Sequence, residues 1–261
     1  MTPAVEASTA LEVQNVVVRF GGLVAVDTVS LQVGSGQPVG LIGPNGAGKT
    51  TTFNVCSGLI RPTSGIVRLF GRDVTTASPS SRGRIGLGRT FQRMELYDRL
   101  SVRENVAMGL EGRLAGSRPL GFLLATASER RAVTEATANA LERCGIEHLA
   151  DQRAGVLPSG QRRLVELARA LAGDRQLLLL DEPSSGLDPS ETAAFAEILR
   201  SVMAEDGRSI LLVEHDMSLV RAVCDYTYVL DFGKLIVEGP TESVLASAEV
   251  RDAYLGKDEV A

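Results

Sequence analysis

Between an apolar run, Pro38–Ile42, and a helix pattern beginning at Thr50, the chain reads Gly43-Pro44-Asn45-Gly46-Ala47-Gly48-Lys49-Thr50. This matches G-x-x-x-x-G-K-[ST] without a mismatch, in the strand-then-helix context the pattern requires. The glycines let successive backbone N–H groups turn inward around phosphate oxygens, and the following helix adds the partial positive charge of its N-terminus. Lys49 supplies a point charge for β- and γ-phosphates, Thr50 offers a hydroxyl to Mg²⁺, and Thr51 continues the phosphate-facing turn. A chance glycine turn explains neither the strand before it nor the helix after it.

A second run, Leu177-Leu178-Leu179-Leu180, ends at once in Asp181 and Glu182. Packing alone gives no reason for a buried strand to end in two carboxylates. Asp181, at the carboxyl end of a strand, is expected to hold Mg²⁺ directly or through water, and Glu182 to polarise the water that attacks the γ-phosphate.

The rest of the chain sorts into three textures. Residues 1–10 read as a disordered end. Alternation then puts Val16, Val18 and Phe20 on one face of a strand, and Val29, Leu31 and Val33 on another. A turn at Arg61–Gly65 precedes a strand at Ile66–Phe70. From about 93 to 172 the pattern becomes helical: Ser101 with Glu104 suggests a capping box, and Ser128–Cys144 carries Val133, Ala136, Ala140 and Cys144 on one face. Leu177–Leu180, Glu191–Met203 and Ile210–Val213 then follow as strand, helix, strand, which predicts a parallel sheet. The layout is a β-rich N-terminal part, an α/β core and a helical insertion.

Composition excludes several classes. Apolar residues make up 44% and charged residues 23%, which fits a folded domain and excludes a disordered or fibrous chain. The net charge is −5, the wrong sign for a duplex-DNA partner, so no nucleic acid is expected. The three cysteines, Cys56, Cys144 and Cys224, form no CxxC pair and read as reduced, buried thiols. No secretory signal is read at the N-terminus, and no apolar run approaches the ~20 residues of a membrane span.

Leu157-Pro158-Ser159-Gly160-Gln161 lies between the two phosphate motifs. With it, the chain resembles the ATP-binding subunits of ABC transporters from about residue 11 to 256. The resemblance implies a P-loop NTPase (RecA-like) α/β core at about 11–92 and 173–250. It adds an N-terminal antiparallel β subdomain and an inserted α-helical subdomain at about 93–172, all within one ATP-binding domain, 11–261. It also implies roles. Gln92, in RTFQ, matches the glutamine that contacts Mg²⁺ and the attacking water. Ser159, Gly160 and Gln161 match the signature that faces a partner's ATP. Asp188, in SGLD, matches the loop connecting two sites. His215, in EHD, matches the histidine at the γ-phosphate. Phe20 takes the place of the aromatic that stacks on adenine. ATP and Mg²⁺ are the implied ligands. The implied partners are a second ATPase subunit, identical or paralogous, arranged head to tail, two transmembrane permease subunits and, indirectly, an external substrate-binding protein. The implied location is the cytoplasmic face of the cell membrane.

FGGLVAV, GPNGAGKTTTFN, RTFQ, EHDM and AYLG narrow the resemblance to importers of branched-chain amino acids, a pattern shared with ATPases for urea or amide import and for lipopolysaccharide export. A soluble ABC ATPase acting on DNA or ribosomes usually has two cassettes or long insertions, and this chain has neither. A module that holds ATP without hydrolysing it is opposed by the presence of both Glu182 and His215. One departure stands out: the family's signature serine, a γ-phosphate donor, is Pro158 here, which has neither a side-chain donor nor an N–H. Pro158 is expected in the first turn of a helix over 159–172, with Ser159 one place later as a substitute donor. Elsewhere, Arg82, Arg84, Arg89 and Arg93 read as a solvated basic face with one or two salt bridges, Leu120–Ala127 as an apolar patch either packed within the helical insertion or in contact with a membrane subunit or lipid headgroups, and His148 as a helix-end residue.

Overall fold

The computed structural model describes residues 9–90, 96–117 and 126–255, without the side chains of 113–117 and 255. Gln92, Arg93, residues 1–8 and most of the apolar patch, 120–125, lie outside the described residues.

Two sheets organise the chain. The first is antiparallel, in the order β2 (Leu23–Gly34), β1 (Thr9–Phe20), β4 (Ser64–Leu69), β5 (Arg72–Asp73). β1 begins two residues earlier than the sequence pattern suggested, because Thr9 pairs with Gly34 and the Phe70 N–H donates to the Ala10 carbonyl. The alternation of β1 breaks at Asn15, which takes φ +47°, so Leu11 and Val13 share their buried face with Val16 and Val18. A further register shift follows Val18, where β2 carries one extra residue. Phe20, the last residue of β1, is 51% exposed and is not buried as its spacing predicted.

The second sheet runs β10 (Lys234–Pro240), β9 (Tyr226–Asp231), β3 (Pro38–Ile42), β8 (Ser209–Val213), β7 (Leu177–Asp181), β6 (Leu87–Arg89). All neighbours are parallel except β10 against β9. Its central strands are buried on both faces, as parallel sheets require. Leu177 and Leu179 pack toward the antiparallel sheet with Leu41, Val213 and Phe53 of α1 (Lys49–Ser57). Leu178 and Leu180 face the opposite way, into a core shared with the helices.

Those helices are α3 (Val102–Ser117), α4 (Ala127–Arg143), α5 (Ser159–Ala172), α6 (Pro189–Asp206) and α7 (Met217–Val223). Two more, α8 (Thr241–Leu245) and α9 (Ala248–Leu255), close the described chain. At the start of α3 the Ser101 hydroxyl accepts from the Glu104 N–H, and the Glu104 carboxylate accepts from the Ser101 N–H at 2.7 Å, the expected capping box. Ala140 and Cys144 are buried as the periodicity required, while Val133 and Ala136 are half-buried. No helix among the described residues is long and apolar enough to cross a membrane. Burial pushes the thiols of Cys56 and Cys144 up to about 12, which keeps them protonated and unreactive.

The basic run does not form a solvated face. Arg82, on α2 (Pro79–Ile85), is fully buried. It donates to the Val55 and Cys56 carbonyls at 2.6 and 2.7 Å, to Val74 at 2.7 Å, and more weakly to Ala77 and Thr75. Val55 and Cys56 are in the last turn of α1, where carbonyls have no partner within the helix, and Val55 also accepts the N–H of the C-cap Gly58. Arg82 thus caps the helix that begins at the phosphate loop. Arg89 is also drawn inward, and Arg84 alone of the described three stays exposed.

Candidate functional site

Parallel pairing brings the site together. Leu41 lies beside Val213, and Val213 beside Asp181, so β3, β8 and β7 end at one level. The residues that follow are Gly43, Glu214 with His215, and Glu182. This is the carboxyl edge of an open α/β sheet, where such folds place their ligands.

The phosphate loop is closely backed. Gly43 has φ +148°, and a side chain there would run into the Leu230 carbonyl. Gly48, the N-cap of α1 with φ +98°, lies against the Ala25 carbonyl and Gly233. Asn45, Gly46 and Thr50 are exposed at the loop's outer surface, Pro44 and Ala47 are buried, and Thr51 is half-buried. Lys49 Nζ donates to the Gly43 and Pro44 carbonyls at 2.6 and 3.0 Å, which holds the ammonium over the loop.

Asp181 is nearly inaccessible, and burial raises its carboxyl pKa to about 6 against the opposing charge of Arg89, 3.6 Å away. Its N–H donates to the Thr90 hydroxyl at 3.3 Å. Glu182 takes φ +46°, a strained conformation for a non-glycine residue, and its N–H donates to the Val213 carbonyl. The turn presents its side chain 4.0 Å from His215 Nδ1. His215 itself is exposed, with Nδ1 also 3.6 Å from the Glu214 carboxylate.

Glu214 is a residue the sequence reading missed. It is fully buried, and its carboxylate accepts the N–H groups of Ser184, His215 and Asp216 at 2.8, 3.0 and 3.2 Å. It ties the turn carrying His215 to the segment after Glu182. The only signal was its place next to His215 at a strand end. Tyr254, in the AYLG segment, was also missed: its hydroxyl accepts the Gly43 N–H at 2.8 Å, joining α9 to the phosphate loop. A buried pair, Arg163 with Glu166 at 3.0 Å, lies on α5, and Arg163 Nε donates to the Ser185 carbonyl at 3.4 Å.

α5 begins at Ser159, so Pro158 is its N-cap and not part of its first turn. The Ser159 hydroxyl donates to the Gly186 carbonyl at 3.1 Å, Gly160 is buried against the Glu191 carboxylate, and Gln161 is half-buried. Asp188 caps α6: its carboxylate accepts from the Ser190 hydroxyl and from the Ser190 and Glu191 N–H groups, and these bonds, the hydroxyl's first, hold its pKa below the usual carboxylate range. His148 sits exposed in a 3₁₀ turn, far in role from this cluster.

Together these residues offer a phosphate cradle, a lysine, a strand-end aspartate and a glutamate–histidine pair at one sheet edge, which defines a P-loop nucleotide-binding protein. Residues 26–185 match the family model described as ABC transporter. The chain belongs to the ABC transporter family, as one of its ATP-hydrolysing ATP-binding subunits. It is similar to the high-affinity branched-chain amino acid transport ATP-binding protein BraF of Pseudomonas aeruginosa, with 37% identity over 95% of this chain and 98% of that one. LivG of Escherichia coli, of the same description, is 38% identical over the same shares. LptB of Acidithiobacillus ferridurans, a lipopolysaccharide export system ATP-binding protein, is 34% identical over 95% and 98%. Among solved structures, the ADP conformation of MJ1267, an ATP-binding cassette of an ABC transporter, superposes with a TM-score of 0.83 at 32% identity, covering 95% of this chain and 99% of that one. The bacterial cassette MJ0796, solved as a dimer, gives a TM-score of 0.76 at 25% identity over 88% and 98%.

Proposed function

We propose that this chain hydrolyses ATP to power an importer of branched-chain or other small amino acids from the cytoplasmic face of a membrane. The observation that carries the chemistry is the shared level at which β3, β8 and β7 end, bringing Lys49, His215 and Glu182 to one edge. The importer reading rests on the 37–38% identity to BraF and LivG over nearly the whole chain.

The residues fit ATP with Mg²⁺. Asn45 to Thr51 cradle the phosphates with backbone N–H groups, and Gly43 and Pro44 set the loop's entry. On binding, Lys49 exchanges its two carbonyl partners for β- and γ-phosphate oxygens. Phe20 stacks on the base, a role its exposure at the end of β1 supports. No group of three or more histidine, cysteine or acidic side chains able to cage a metal occurs among the described residues. Mg²⁺ uses few protein ligands and leans on phosphate oxygens, so Thr50, Asp181 and Gln92 suit it. Bound there, the ion supplies charge neutralisation for the phosphates. Glu182 orients and deprotonates the attacking water, and His215 donates to the γ-phosphate. Glu214 keeps the His215 turn in register with Glu182.

The signature residues Ser159, Gly160 and Gln161 serve the ATP of a second subunit arranged head to tail, and Asp188 connects the two sites. The docking groove for two permease subunits lies between the α/β core and the helical lobe at about 93–172, and an external binding protein selects the substrate. Because Pro158 lacks the donor of a serine, and the Ser159 hydroxyl is committed to Gly186, the partner's site is weakened by about 1–3 kcal/mol, the worth of one charge-assisted hydrogen bond. Pro158→Ser is expected to raise the ATPase rate of the assembled transporter several-fold, and an unchanged rate refutes this account.

The identity to LptB supports a second reading, lipid export, with the same site chemistry. Purification from native membranes separates them. The importer predicts two polytopic subunits, a second ATPase and a periplasmic or tethered protein that binds branched-chain amino acids. Co-purification with lipid-export components selects the second reading, and recovery only with ribosomes, DNA or nothing defeats both.

A further inference from the structure

Arg89 is the last residue of β6, and its side chain touches both the helix of the phosphate loop and the metal-site carboxylate. Its Nη1 donates to Asn54 Oδ1 at 2.8 Å and to Ser57 Oγ at 2.6 Å, both on α1. Its guanidinium carbon lies 4.6 Å from the centre of the Phe53 ring, also on α1. Its Nη2 lies 3.6 Å from Asp181 Oδ2. The next residue, Thr90, accepts the Asp181 N–H. Two consecutive residues therefore hold Asp181 by its backbone and by one carboxylate oxygen, and the first of them is anchored on α1 by two hydrogen bonds and a ring face.

We propose that Arg89 is a positioning residue of the nucleotide site: it clamps α1 to β7 and fixes the Asp181 carboxylate in the orientation that receives the Mg²⁺ of Mg-ATP. This rests on the reading of Asp181 as the metal carboxylate. The planar fork is needed, because one guanidinium must reach Asn54, Ser57 and Asp181 at once while stacking on Phe53. A lysine carries the charge but not the fork.

The experiment measures binding of a fluorescent ATP analogue to the purified full chain, in excess Mg²⁺ and in EDTA, for wild type, Arg89→Lys and Arg89→Met. The Mg²⁺-dependent gain in affinity is expected to fall at least tenfold in both variants, with binding in EDTA changed less than threefold. A purely structural role would weaken both conditions together. A role as a competing cation would increase the Mg²⁺-dependent gain in Arg89→Met. Either result overturns the proposal, as does full retention of the gain in Arg89→Lys. If the Arg89 variants do not fold, Asn54→Ala with Ser57→Ala removes the anchors while keeping the arginine. That pair is expected to lose at least threefold of the Mg²⁺-dependent gain, and no loss overturns the proposal. A wild-type chain that binds no nucleotide would defeat the functional reading itself, an outcome distinct from any difference among variants.

Discussion

Glu182→Gln is expected to lower the ATP turnover of the assembled transporter by about 10²–10⁴-fold, the range for removing a general base, while ATP stays bound. The substitution is isosteric and keeps the backbone bond from the Glu182 N–H to the Val213 carbonyl, so the strained turn persists. On the proposed function, what is lost is the charge that polarises water. With hydrolysis blocked, nucleotide and dimer should accumulate together, seen as retained ATP after desalting and a shift to the larger species on gel filtration. Turnover within threefold of wild type would remove Glu182 from the chemistry. Loss of ATP binding in the same variant would instead make it a structural residue.

The second large effect falls on stability, far from water. Arg82→Met keeps most of the side-chain volume but strips donors from the Val55, Cys56 and Val74 carbonyls. The Val55 and Val74 carbonyls keep the N–H groups of Gly58 and Ala77, whereas the Cys56 carbonyl is left with no backbone donor, and a buried acceptor without a partner costs about 1–3 kcal/mol. With the charge-assisted bonds to the other two carbonyls also lost, a total of about 3 kcal/mol is expected, together with a fall of about 8 °C in Tm. The damage should concentrate at the end of α1, so nucleotide binding weakens as well. Urea unfolding with a loss under 1 kcal/mol would show that water or rearranged donors replace the guanidinium.

These two residues differ in how visible they were. Glu182 was legible because its chemistry is local: an apolar strand ending in two acids needs no partner to be noticed. The phosphate loop was legible for the same reason, since its strand, glycines, lysine and helix are contiguous. Helix caps such as Ser101 with Glu104 were readable because both members lie within one turn. Arg82 carried no such mark. Its charge suggested solvent, and only the convergence of the end of α1 and the stretch 74–77 around it shows that it satisfies carbonyls from two segments.

Glu214 and Arg89 were hidden for a related reason. A carboxylate that accepts three backbone N–H groups, or a guanidinium that spans two elements, is defined by distances between segments, and a linear pattern holds no distances. Phe20 shows the reverse case. Its period-two spacing pointed inward, but it is the last residue of β1, and half of it stays exposed at the strand's end.

The sequence by itself determined the class of chemistry, through a strand–glycine–lysine–helix run, a strand that ends in two acids and a helical stretch between them. Those are properties of short contiguous stretches, set by backbone freedom, periodicity and charge. The tertiary structure alone decided which charges are buried among backbone partners and which stay exposed at the sheet edge. Burial and hydrogen-bond partners fix that division, and both arise only when strands 130 or more residues apart in the chain, such as β3 and β7, end at the same edge of one sheet.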